Sequence, residues 1–177
     1  MKSYFKNKIT LVCFILYILI TAVIFYTSLS NGSQSEKQSG QVENIISKIM
    51  KFLTFNKLAL DEYAWFSIVV RKGIGHFSLF FTLAIFAFVV YYRLAEVIKK
   101  DKSLYLFIIL TIGAGIITAG VSEFLQSPIF VSGRAPSVVD ALINVLGYTL
   151  STVICLSIYN IRKSYMRLTF RSSKSDH

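Results

Sequence analysis

The stretch Ser122 to Asn144, SEFLQSPIFVSGRAPSVVDALIN, separates two long apolar runs, Leu104–Leu125 and Val138–Tyr159. Across that junction the chain places a carboxylate (Glu123), an amide (Gln126), a guanidinium (Arg134), a second carboxylate (Asp140) and a second amide (Asn144). Each flanking run is long enough, at about 20 helical residues, to cross roughly 30 Å of hydrocarbon. The polar interlude therefore reads as a loop outside the membrane joining two crossing helices.

The rest of the chain supports that reading. Of its 177 residues 54% are hydrophobic, and the mean hydropathy is +0.60, more than an ordinary soluble domain carries. Two further runs are long enough to span, Thr10–Leu29 and Ile74–Tyr92. The first outlasts a signal-peptide core and no small-x-small cleavage pattern follows it, so it reads as a retained anchor. The expected fold is an all-α membrane protein, a four-transmembrane-helix bundle with an interfacial amphipathic helix in its first extracytoplasmic loop. Cys13 and Cys155 fall inside spans, without metal-ligand spacing, and read as packing residues.

The net charge of +10 comes from basic residues dispersed at span ends, a pattern that argues for topology and against nucleic-acid binding. The amino-terminal tail has three Lys/Arg, the Arg93–Lys102 loop four and the carboxy-terminal tail five, against one in the loop after the third span. The expected location is thus a membrane crossed several times, with both termini cytoplasmic. The corresponding organisation is a cytoplasmic tail (1–9), a first span (10–29), an extracytoplasmic linker with amphipathic helix (30–73), a core holding spans two to four (74–159) and a basic cytoplasmic tail (160–177). Within the loop, Ser30–Gln41 reads as a flexible polar linker. Val42, Ile45, Ile46, Ile49 and Leu53 then recur at helical spacing, for a helix lying in the membrane interface or covering the bundle. Trp65 and Tyr63 suit the headgroup level. The tail after Asn160 reads as a disordered anchor for anionic lipids.

Four crossings bring the start of span two, the end of span three and the start of span four to one face of the membrane. That face receives Lys72, His76, Glu123, Gln126, Arg134, Asp140 and Asn144, the candidate ligand-binding residues. Spacings of three or four within each pair, Lys72/His76, Glu123/Gln126 and Asp140/Asn144, place both members on one helical face. Gly115 and Ala119 behind Glu123, with Gly147 and Ser151 behind Asn144, predict a close seam between spans three and four. A guanidinium or carboxylate facing lipid costs about 2.5–3.5 kcal/mol near the bilayer centre, so the expectation is an Arg134 fork shared by Glu123 and Asp140.

More ordinary roles stand beside these. Ser137 with Asp140 fits a helix-capping pattern, and His76 near Gly73 and Gly75 fits a helix start. No second histidine lies in the folded region, so no metal or other cofactor is expected. The segment HFSLFFTLAIFAF in span two reads as packing or lipid-facing surface. A structural ion-pair clamp and a binding site both satisfy the chemistry of the cluster.

In the order Lys72, HF at His76, SEFLQ, GRAPSVVD, NVLGY, the chain resembles the VanZ-like family of bacterial membrane proteins. The family pattern of Glu-x-x-Gln, Gly-Arg, Asp and Asn-x-x-Gly corresponds to Glu123 and Gln126, Gly133 and Arg134, Asp140, and Asn144 with Gly147. Three features depart from it: a longer stretch between Gln126 and Arg134, Ser132 where proline often precedes the glycine, and Phe80 in place of a frequent tyrosine. The resemblance implies a location in the bacterial cell membrane and a role at the cell envelope, the founding member being associated with resistance to the glycopeptide teicoplanin.

The expected function is accordingly non-enzymatic: binding of a lipid-linked or amphiphilic ligand in an outer-face polar pocket. Its expected partners are membrane lipids and a lipid-linked cell-wall precursor or lipoglycopeptide, with no nucleic acid, and a homo-oligomer is compatible. The alternative is a membrane enzyme using Glu123, Asp140 or His76 as acid-base groups, for which the sequence supplies no nucleophile arrangement and no phosphate-cradling loop. A transporter is disfavoured by the lack of an inverted repeat.

Overall fold

The computed structural model describes residues 8–53, 65–66, 69–98 and 103–175, apart from the side chains of 38, 39, 71, 72, 103 and 166–175. The described elements are α1 (Lys8–Ser28), α2 (Gly32–Leu53), a π-helix π1 (Val69–Phe77), α3 (Ser78–Ile98), α4 (Ser103–Leu125) and α5 (Val138–Ser175). Four helices are long and apolar enough to cross a membrane: Lys8–Ser28, Gly73–Ile98, Leu104–Leu125 and Val138–Tyr165. The second of these crossings begins within π1 and continues as α3.

The chain turns its apolar side chains outward to an extent that only lipid tolerates. Ile18, Leu19 and Val23 on α1, Ile109 and Ile117 on α4, and Leu142, Leu146 and Val153 on α5 are all exposed. Against water such a surface would drive association; in hydrocarbon it is neutral. The interior is made of smaller groups. Ala84, Ala87 and Leu83 of α3, with Ala119, Ile24, Phe80 and Tyr148, form the core, and α3 packs against α1, α4 and α5.

Glycines set two of the close approaches. A Cβ at Gly115 would lie 2.5 Å from the Tyr148 ring, so α4 and α5 meet there along the expected seam. Gly147 differs from expectation: a Cβ on it would sit 2.6 Å from the carbonyl oxygen of Phe77, so this glycine admits span two, not span three. Three helices share the approach because α5 presents Gly147 and Tyr148 in succession, about 100° apart around its axis. At the opposite end Phe88, Tyr92, Phe107 and Tyr159 form an aromatic cluster, closed by a hydrogen bond between the Tyr92 and Tyr159 hydroxyls. The phenylalanine-rich segment of span two is thus mainly packing surface, with Phe80 only 2% exposed.

Two segments are more helical than the sequence implies. The stretch assigned to a flexible linker forms the first turns of α2, starting after Asn31, whose carbonyl accepts the Ser35 amide at 2.9 Å. Asn is a favoured helix start, and the segment contains no proline to oppose winding. The tail assigned to disorder continues α5 without interruption to Ser175, since no glycine or proline follows Gly147. Along α2 the buried Ser47 faces inward, while Val42, Ile45, Ile49 and Phe52 form an exposed apolar stripe. The helix therefore both covers the bundle, through contact with π1, and presents an apolar face outward. Trp65 is exposed, and Tyr63 lies outside the described residues.

Candidate functional site

The polar cluster is organised by one carboxylate. Glu123, in the last turn of α4, is 5% exposed and accepts three hydrogen bonds. Its Oε1 takes the Gln126 Nε2 donor at 3.2 Å and the Asn144 Nδ2 donor at 3.4 Å. Its Oε2 takes the backbone amide of Ser137 at 3.0 Å. Removing a carboxylate from water costs several kcal/mol unless donors replace the lost solvation, and these three donors from three segments do so.

The Ser137 bond completes a helix cap across two elements. Ser137 Oγ accepts the Asp140 amide at 3.2 Å, the first half of a capping box. In the usual box a Glu or Gln at the third helical position would reach back to the amide of the capping residue. Asp140 occupies that position in α5, and Glu123 of α4 takes the amide instead. Both carboxylates lie at the amino terminus of α5, where the helix dipole favours negative charge. Capping and the cluster are therefore one structure: the same carboxylate that starts α5 also orders the site.

Glu123 is the acceptor in all three of these bonds, and this sets the two amides around it. Gln126 and Asn144 must both turn their NH2 groups to Glu123, which sends both carbonyl oxygens the other way. The Gln126 Oε1 accepts the Arg134 Nη2 at 2.6 Å. The Asn144 Oδ1 lies 3.2 Å from His76 Nδ1, so this ring nitrogen is the donor of the bond. Glu123 thus acts through two amide relays on two cationic or ionisable side chains that it does not itself bond.

Arg134 departs from the expected fork. Among the described residues no ion pair joins it to Glu123 or Asp140; Gln126 stands between the guanidinium and Glu123. Its Nη1 instead donates to the carbonyls of Thr27 at 3.0 Å and Ser30 at 3.4 Å, at the end of α1. Gly133 before it has φ 74°, a left-handed conformation that glycine adopts without strain. Gly133 also abuts Gly32, where a Cβ would meet the Gly133 carbonyl at 2.5 Å, and the Gly32 amide bonds to the Ser132 carbonyl at 3.4 Å. The loop is thereby docked on the α1–α2 junction. This contribution of span one has no side-chain signature, because it is made by backbone carbonyls.

Beside the cluster lies a cavity of about 230 Å³. Arg134, Gln126, His76, Ser122, Thr27, Ser28 and Ser35 supply its polar lining; Ile24, Val42, Val70, Leu79 and Phe80 supply apolar lining. Of the seven residues that the sequence brings to this face, His76, Gln126 and Arg134 line the cavity. Glu123 and Asn144 stand behind them in the hydrogen-bond network, Asp140 is buried in the first turn of α5, and the side chain of Lys72 lies outside the described residues. The π-winding matters here: π1 carries Val70, Gly75 and His76 to the cavity, and such wide turns recur at functional sites. No cluster of three potential metal ligands occurs among the described residues.

No match was found among curated proteins or among solved structures. The VanZ/LLP1 family model matches residues 13–160, a range that runs from the first span through the fourth and contains every residue of the cluster. The four apolar helices and this match together make the chain a multi-pass membrane protein belonging to the VanZ/LLP1 family.

Proposed function

We propose that the protein binds the anionic head and adjoining apolar portion of a membrane-resident amphiphile in this cavity, and that it thereby lowers susceptibility to teicoplanin-type glycopeptides at the bacterial envelope. The observation that carries the reading is the mixed lining of one cavity, Arg134 and His76 together with Ile24, Val42, Val70, Leu79 and Phe80. An amphiphile needs that mixture, whereas a structural clamp needs no cavity. Arg134 is the group for phosphate or carboxylate, since its planar fork supplies several donors at once. Glu123 is a positioning residue that holds Gln126 and Asn144.

The same geometry favours binding over catalysis by a carboxylate pair, because Glu123 and Asp140 do not line the cavity and His76 is the one acid-base candidate that does. Purified protein in vesicles containing labelled envelope lipids tests the choice. Saturable binding without product supports it; turnover overturns it in favour of an enzyme. In a sensitive host, expression is expected to raise resistance to teicoplanin, and Arg134→Lys to abolish that effect with the protein still present. Lysine retains the charge but cannot span Gln126 and the Thr27 carbonyl together. Wild-type resistance in the variant counts against a binding role for Arg134.

A further inference from the structure

The turn that leaves α4 is apolar on its outer side. Phe124 and Phe130 are exposed, and Ile129 between them is 81% exposed. From Phe124 to Gly133 the chain has no charged side chain. Val131 is buried, so the segment has an inward side as well, and Ile129 and Phe130 belong to the outward one. In water, large apolar groups gathered in this way mark a surface that something else covers.

The place of the turn in the fold says what covers it. Ile117, Val121 and Phe124 follow one another at steps of four and three, an exposed apolar ridge along α4. Because α4 is a crossing helix, that ridge faces hydrocarbon. The Phe130 ring meets Phe124 edge-on, with 5.4 Å between centroids. The turn therefore prolongs a lipid-facing surface past the last residue of the span.

Its backbone is suited to the same surroundings, where an unpaired N–H is costly. The amides of Gln126 and Ser127 donate to the carbonyls of Glu123 and Phe124, each at 3.0 Å. Those of Phe130 and Val131 share the Ser127 carbonyl at 3.0 and 3.1 Å. Pro128 has no N–H to satisfy. Most donors of the turn are thus paired without solvent.

We propose that Phe124, Ile129 and Phe130 form a knuckle seated in the lipid leaflet on the Arg134 side, at the boundary between acyl chains and headgroups. The loop is then not wholly outside the membrane. Its outward carbonyls still need water, which keeps the insertion shallow and leaves the edge of the turn open to reagents from that side. Arg134 follows in the same loop and is tied to the end of α1, so the seated knuckle holds the guanidinium at headgroup level. The proposal rests on the turn alone and needs no ligand in the cavity.

Tryptophan fluorescence tests it in the full chain within phosphatidylcholine vesicles. In a Trp65→Phe background, which removes the one native indole, Ile129→Trp is compared with Ala135→Trp, exposed in the second half of the loop. Ile129→Trp is expected to be quenched by lipid brominated near the headgroup end of its acyl chains, and to be about three-fold less sensitive to acrylamide than Ala135→Trp. Phe130→Trp, which keeps a ring beside Phe124, is expected to respond to the brominated lipid in the same way. Full acrylamide sensitivity at position 129 with no effect of bromine places the turn in water and overturns the proposal. Protection from both quenchers also overturns it, in favour of a second copy of the chain over the patch.

Discussion

Glu123 bonds to the amide of Ser137 and to the side chains of Gln126 and Asn144, so its replacement by glutamine is not conservative. An NH2 group would face at least one existing donor, and the orientation of both neighbouring amides would no longer be specified. Glu123→Gln is expected to lower stability by about 2–4 kcal/mol, read as a fall in melting temperature in detergent. The parity of the crossings and the spacing of polar residues were enough to bring His76, Glu123, Gln126, Arg134 and Asn144 to one place. They could not rank the partners of Arg134, because the competing acceptors are backbone oxygens of Thr27 and Ser30 that any sequence would supply.

Among the elements, the glycines separate into those that admit a neighbour and those that do not. Gly147→Ala pushes a methyl group into the backbone of Phe77, which has no rotamer with which to yield. Loss of about 1–3 kcal/mol is expected, with π1 and α5 displaced from each other. Gly40, within α2, has nothing within 4 Å of its Cβ position. Gly40→Ala is therefore expected to stabilise by about 0.5–1 kcal/mol in the same melting assay. The apolar periodicity of Val42 to Leu53 announced α2, but its first turns are polar on all sides and carry no such signal. They wind because the helix beyond them is held against π1, and hydrophobic patterning does not report that kind of support.

For the whole molecule, four crossings require the beginning of α1 and the region of Tyr165 to share one face of the membrane, with the Arg134 loop on the other. In a background lacking Cys13 and Cys155, Lys8→Cys and Tyr165→Cys are expected to be labelled by an impermeant thiol reagent from the same side. Phe130→Cys, exposed in the loop, is expected to be labelled from the opposite side. Labelling of all three from one side is inconsistent with four crossings. The number of spans was legible because length and hydropathy are local properties. The continuation of α5 to Ser175 was not, because charge patterning distinguishes a solvated segment from a buried one and says little about whether its backbone is coiled or helical.

The wide winding of Val69–Phe77 stores an angular offset ahead of a long rigid rod. A wide turn closes on one more residue than an α turn, so deleting one residue and letting the segment relax to α geometry would keep the groups before it near their present bearing, whereas the same deletion from an α-helix would swing them through about 100°. Val70 would then keep its place in the cavity lining while the turn beside His76 tightened. A single codon thus separates the width of this turn from the direction of the helix that it feeds.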